Sequence, residues 1–381
     1  MKKPLGIYVH IPFCVQKCHY CDFCSATATE DVKESYASAL IKNIESVSKN
    51  FSDYEIDSVF FGGGTPTCLP AKTLSNILFS IKNNYSVSEN AEISLECNPA
   101  TVNYDDLRLL VASGFNRLSM GVQSAHDEEL KALGRIHSFN DFEKTYSDAR
   151  RAGFNNINLD LMYGIPLQTE YSFKKTLETI VSYSPEHISA YALKIEPGTA
   201  FFKNKDNLLL PDEDSEYNMY KLAVSTLIAN GFGHYEISNY AKNGYHSRHN
   251  LKYWSLDDYI GFGVSAHSCI NQNRYAVINS TSKYTDIILN KLPEPYYFET
   301  ESLSKKEFSE EYIMMRLRLS DGLARNEYEK NFSSSIPDKY INRMVPFIKS
   351  GHIIYSDKRY SLSDDGMYIS NYILSDILDL E

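Results

Sequence analysis

From the N-terminus to about residue 235 the chain repeats one pattern, a short β-branched run followed by a longer amphipathic stretch. The runs predict strands at Gly6–Ile11, Asp57–Phe61, Glu92–Glu96, Arg117–Val122, Asn156–Leu161 and His187–Lys194. Between them, helical spacing predicts helices over Asp31–Lys49, Ala71–Asn84, Asp105–Ala112, Asp127–Ala132, Phe139–Ala152 and Ser172–Ser182. Ala112-Ser113-Gly114 and Arg151-Ala152-Gly153 each end a helical stretch on the glycine that a C-cap favours, just before an apolar run. Strand and helix in alternation argue for a parallel sheet with both faces covered. Six such units are more than a small doubly wound sheet needs and fewer than a closed eight-fold barrel. The expected fold class is therefore α/β, an incomplete (β/α)6-type barrel over residues 1–235.

Past residue 235 the rhythm changes, which predicts a smaller α+β domain over 236–381. A Tyr-, Asn- and His-rich segment is followed by the glycine-punctuated Gly261-Phe262-Gly263-Val264-Ser265-Ala266-His267. From Lys305 to Glu381 the pattern is helix, short helix, two β-like runs around the polar turn of GHIIYSDKRYSLSDDG, then a last helix, a partly winged-helix-like arrangement. Its charge is nearly balanced, and the whole chain carries a formal −11, so no nucleic-acid partner is expected.

The start, MKKPLGIYVHIPFC, lacks the apolar core of a secretory signal, and no apolar run approaches the ~18 residues that cross a bilayer. The expected compartment is the cytosol, where thiols stay reduced and clustered cysteines point to metal or catalysis rather than disulfides. Cys14, Cys18, Cys21 and Cys24 fall within eleven residues of each other. Three thiolates at spacings of four and three converge on one small object only if the loop wraps around it. Zinc is the alternative, but structural zinc sites pair their ligands, with the second pair a dozen or more residues on, and none follows here. A 4Fe-4S cluster on three cysteines leaves one iron open for a chelating cofactor. Cys24, set apart by Asp22-Phe23, is read as a bystander.

Phe61-Gly62-Gly63-Gly64-Thr65-Pro66 ends the second predicted strand, and successive glycines let backbone approach a ligand closely. Glu96, Gln123 and Asp160 then stand at later strand ends, with Arg135 on the loop after the fourth strand. In α/β barrels these ends share one face, so the side chains would converge above the barrel.

CxxxCxxC over Cys14–Cys21 is the signature of the radical S-adenosylmethionine (radical SAM) superfamily, which this loop resembles. YVHIPFC, CHYCDF, FGGGTP, LECNP, GVQS, LGRIH, NLDLMYGIP and IEPGT follow in order across most of the chain and resemble the oxygen-independent coproporphyrinogen III oxidase group of that superfamily. The resemblance implies that Cys14, Cys18 and Cys21 hold the 4Fe-4S cluster. It also implies that Tyr8, Tyr20, Gly63, Gly64, Thr65, Glu96, Gln123, Arg135, Asp160 and Ala192 bind S-adenosylmethionine, with an electron donor serving the cluster.

Two departures separate this chain from the oxidases of the group. Where they carry a further cysteine two residues after the third ligand, this chain has Phe23, and Cys24 is one too late. They also have a longer N-terminal extension, whereas here Cys14 lies within the first fifteen residues. Both departures resemble the haem-chaperone branch, as does His249-Asn250-Leu251-Lys252-Tyr253-Trp254, which fits its HNxxYW element within the haem-associated segment 246–254. The resemblance implies haem as cargo, handed to acceptor haem proteins, with His249, Asn250, Tyr253 and Trp254 at the haem site. An imidazole can ligate haem iron and aromatic rings can face a porphyrin. The residues alone equally allow His249 to cap a loop and Trp254 to plug an interface. His246 and His267 are competing ligands. The alternative activities are oxidative decarboxylation of coproporphyrinogen propionates and radical opening of the haem ring.

Overall fold

A computed structural model describes residues 2–379. Six parallel strands, β1 (Lys3–Ile11), β2 (Tyr54–Gly63), β3 (Val87–Cys97), β4 (Arg117–Gln123), β5 (Ile157–Tyr163) and β6 (His187–Ala192), pair in simple sequence order. Each is followed by a helix that packs outside the sheet, and these helices form a consecutive layer: Glu30–Val47 lies on Ala71–Asn84, which lies on Tyr104–Ser113, which lies on Phe139–Ala152. Covering on both faces explains why β4 is buried at every position and β5 at all but Asp160. The C-terminal ends of all six strands thereby open on one face.

The helix ends follow the predicted chemistry. Gly114 and Gly153 cap their helices with φ of 105° and 112°, a conformation that costs glycine little. At the opposite ends Asn103 with Asp106, and Ser138 with Asp141, form reciprocal capping boxes. The helix Glu213–Ala229 lies outside the predicted pattern; Asp212 caps it, and it packs on Glu170–Ser182.

The change of rhythm at residue 235 is not a break in the sheet. β7 (Gly233–Glu236) and β8 (Asn239–Ala241) form a hairpin antiparallel to β6, while β9 (Tyr259–Phe262) runs parallel to β1. β10 (His267–Ile270), β11 (Asn273–Val277) and β12 (Tyr297–Ser302) extend that side antiparallel, giving a sheet of twelve strands among the described residues. The open edges of β1 and β6 need partners for their backbone groups, and the segment just past residue 235 supplies them. The barrel core accordingly runs on to Tyr284, and a separate core spans Tyr312 to Leu378.

That second core belongs to the winged-helix-like unit. Helices Lys305–Leu317, Arg325–Phe332 and Asp338–Lys349 precede the hairpin of β14 (Ile353–Ser356) and β15 (Arg359–Leu362), and β13 (Leu323–Ala324) adds to β15. Asp357 and Lys358 both take positive φ, as a tight two-residue hairpin turn requires. The unit docks on the barrel through Tyr217 to Asp365 (2.7 Å), Tyr220 to the Asp364 carbonyl (2.7 Å) and the Arg318 guanidinium over the Trp254 ring. No helix among the described residues is long and apolar enough to cross a membrane.

Candidate functional site

The cysteine loop leaves β1 at Ile11 and is closed at its neck. The Cys14 N–H donates to Ala26 O (3.1 Å), and the Ala26 N–H donates to Pro12 O (2.9 Å). Two neighbouring loops pin its middle, through His19 N–H to Leu133 O (3.0 Å), Gln16 Nε2 to Gly134 O (3.3 Å) and Phe201 N–H to His19 O (2.9 Å). Thus fixed, Cys14, Cys18 and Cys21 stand half-buried on the wall of a cavity of about 500 Å³ at the C-terminal ends of the strands.

Tyr20, Gly63, Gly64, Thr65, Glu96, Gln123, Arg135, Asp160 and Ala192 line that same cavity. Tyr8 stands apart in a neighbouring cavity of about 390 Å³, which shares Gly63, Glu96 and Phe23 with the first. Residues spread over nearly the whole barrel sequence therefore meet because they lie at, or on the loops just past, the C-terminal ends of the strands of one sheet.

The residues present fit an iron–sulfur cluster with a chelating cofactor. The three thiols line one cavity, with Thr65 Oγ1 3.7 Å from Cys14 Sγ and Arg135 Nη1 donating to Cys18 Sγ at 3.6 Å. Backbone approaches closely enough to exclude a side chain. A Cβ at Gly64 would meet Phe13 O at 2.6 Å and Cys14 Sγ at 3.0 Å. A Cβ at Gly63, where φ is +117°, would meet the His10 ring at 2.6 Å. Arg135 Nε is buried with no hydrogen-bond partner among the described residues, and unsatisfied buried donors of this kind call for a ligand or water.

Two carboxylates shape the electrostatics. Burial, and then the nearby Asp160, push Glu96 up to about 8, although the Gly63 N–H donates to its Oε2 at 3.2 Å. Burial also raises Asp160, against hydrogen bonds that favour its charged form, among them Asn158 Nδ2 at 2.7 Å. A cationic group entering here meets acidic side chains that gain from being paired.

Three contributors went unremarked in the sequence. Asn98 accepts from Arg135 Nη2 (2.6 Å) and donates to Thr65 Oγ1 (2.7 Å), so it fixes two lining residues at once. Its signal was its place in LECNP, directly after β3. Tyr191 donates to Gln123 Oε1 (3.0 Å), and His10 accepts or donates at Tyr8 (3.0 Å) and the Cys24 carbonyl (2.9 Å). Gly63→Ala is expected to destabilise the chain by about 2 kcal/mol or more, because it combines a disfavoured φ with a clash in a packed site. The midpoint of urea unfolding measures this, and an unchanged midpoint would contradict the tight backbone approach.

The HNLKYW segment does not form an open haem face. It is the helix Arg248–Ser255, and His249 is 0% exposed inside the barrel. Its Nδ1 is bonded to Ser58 Oγ (3.0 Å) and its Nε2 to Tyr253 OH (2.9 Å), so neither nitrogen is free for iron in this arrangement. Burial, with Lys252 and Arg117 nearby, pushes its pKa down to about 3. Tyr253 does line the smaller cavity, whereas Trp254 is half-buried against Arg318 of the C-terminal unit. Asn250 caps nothing in the cavity; its N–H donates back to Ser247 Oγ. His246 stacks on Tyr235 (4.4 Å) away from both cavities, while His267 is exposed on the wall of the smaller one. Cys24 also lies on that wall, its thiol donating to Asn279 Oδ1 at 2.9 Å.

A six-strand open barrel carrying three loop cysteines beside a glycine-lined cavity defines a radical SAM protein. Residues 8–180 match the model of the radical SAM superfamily, and residues 303–369 match that of the HemN C-terminal domain. The chain is 33% identical over 375 residues to the haem chaperone HemW of Bacillus subtilis, covering 97% of this chain and 98% of that one. Against HemW of Escherichia coli it is 32% identical, covering 97% of each. The chain belongs to the HemW family. Among solved structures, the coproporphyrinogen III oxidase HemN of Escherichia coli superposes with a TM-score of 0.86 over 99% of this chain and 90% of that one, at 23% identity, a likeness of fold alone.

Proposed function

We propose that this chain is a haem chaperone that carries a 4Fe-4S cluster on Cys14, Cys18 and Cys21, holds S-adenosylmethionine in the adjoining cavity, and passes haem to acceptor haem proteins. The single observation that carries the reading is near-full-length similarity to haem chaperones, joined to an intact ring of lining residues. Glu96, a buried carboxyl that a cationic neighbour would draw into its ionised form, suits the cofactor's amino group, and Arg135, held by Asn98 and the Gly121 carbonyl (2.7 Å), suits its carboxylate. When bound, the cluster supplies a one-electron donor beside the sulfonium. Gly63 and Gly64 offer backbone to the cofactor without side-chain obstruction. Phe23 stands where the oxidases have a further cysteine, which favours the chaperone over the oxidase. Three thiols kept for iron require a reducing compartment, and the cytoplasm fits that need. An electron-donor protein would serve the cluster.

The test uses full-length protein, reconstituted and reduced without oxygen and given S-adenosylmethionine with either coproporphyrinogen III or haem. Haem uptake near one per chain without porphyrinogen turnover is expected. Conversion to protoporphyrinogen would overturn the chaperone reading in favour of the oxidase, and loss of the haem spectrum with ring cleavage would replace it with haem opening.

A further inference from the structure

We propose that His267, rather than the histidine of HNLKYW, supplies the imidazole that meets haem iron, in the cavity of about 390 Å³ beside the cluster site. This inference rests on the haem-carrying reading above and names its ligand. An axial ligand needs a nitrogen lone pair that is free and aimed into a space able to admit a flat macrocycle. The histidines near the barrel divide sharply by that criterion. His249 has both nitrogens engaged, and its ring is stacked on Phe60 at 5.4 Å. Withdrawing it would orphan Ser58 and Tyr253 in the interior, a loss that buried polar groups rarely bear. His10 is likewise held at both nitrogens, by Tyr8 and by the Cys24 carbonyl. His246 is given over to its stack on Tyr235 and lines neither cavity.

His267 alone of the four is exposed on the cavity wall, and no described side chain or carbonyl occupies its ring nitrogens. Its backbone is rigid, because it opens β10 and pairs there with Ala276 of β11, and ligands mounted on strands hold position better than ligands on loops. Around it, Tyr8, Tyr253 and Tyr259 give flat aromatic walls, and Phe23, 63% exposed, stands at the mouth. One free imidazole within an aromatic enclosure is the chemistry that recognises an iron tetrapyrrole. A further cavity, about 360 Å³ between Phe51 and Tyr297, has aromatic walls but neither an imidazole nor a thiol on its lining.

The same geometry gives HNLKYW a role without iron contact. His249 is a positioning residue: through Nε2 it fixes the Tyr253 hydroxyl, and so the ring that the cavity presents. Its effect on haem should then pass through Tyr253 and leave the axial ligand in place.

The experiment titrates haemin into the purified full-length chain and follows the Soret band and low-spin ferric resonance. His267→Ala is expected to lose the imidazole-type spectrum and weaken binding about tenfold or more. His267→Gly with added free imidazole is expected to regain the spectrum. His249→Gln, which keeps polar atoms in the buried site, is expected to keep the spectrum, with affinity changed about threefold at most. Melting temperature and iron content of each variant report on folding. If the His267 variants bind haem like the parent chain, or show a thiolate spectrum from Cys24, the ligand assignment falls while haem carriage stands. A parent chain that takes up no haem would overturn both.

Discussion

Cys18→Ala is expected to yield a colourless protein after anaerobic reconstitution, with iron and sulfide near zero and no visible thiolate-to-iron charge-transfer band. Cys18 sits at the centre of the loop, pinned on one side by His19 to Leu133 and approached on the other by Arg135 Nη1. On the proposed three-cysteine assignment the variant keeps two thiolates, and a two-cysteine site would not retain a cubane. Cys24→Ala is the internal control, because its thiol is turned toward Asn279 in the adjoining cavity. That variant is expected to retain its full iron content. Parent-level iron in Cys18→Ala, or its loss in Cys24→Ala, would reject the three-cysteine assignment.

The second large effect is on pH. With the site free of cofactor, burial and Asp160 hold Glu96 at about 8, so near pH 6 its carboxyl is protonated. Only the ionised form can pair with the cationic amino group of S-adenosylmethionine. On the proposed pairing binding expels a proton below pH 8, and affinity is expected to rise nearly tenfold per unit between pH 6 and 7.5. Isothermal titration in buffers of different ionisation enthalpy reads both the affinity and the released proton. Glu96→Gln cannot ionise, so its affinity is expected to be weak and nearly flat over this range. A flat profile in the parent chain, or the same slope in Glu96→Gln, would assign the pH-sensitive group elsewhere.

Much of the site was legible because strand ends in a parallel barrel are addressable from sequence. Where an apolar run stops, its next polar residue lands on the common face, and so the sequence alone puts Glu96, Gln123 and Asp160 together. The capping glycines Gly114 and Gly153 were equally plain, since a left-handed residue after a helix leaves few other choices. Contacts between distant side chains were not legible. Nothing in the local pattern says that Asn98 bridges Arg135 and Thr65, because those atoms belong to loops after three different strands. The helix Glu213–Ala229 is not legible in the pattern either, because its apolar residues do not make a clean stripe, being buried between a neighbouring helix and the sheet.

The sequence by itself determined the six βα units, the three cysteines at four and three, and the family to which both belong. Those are short-range properties, set by periodicity and by spacing along a few residues of chain. Only the tertiary structure decided where the barrel ends, because β9 joins β1 across some 250 residues that no local pattern links. It also decided which imidazole is available. His249 and His267 are equally plausible ligands as letters in a sequence. Packing puts the first under Phe60 with both nitrogens bonded and leaves the second open on a cavity wall. A lone pair can bind iron only if the fold has not already used it.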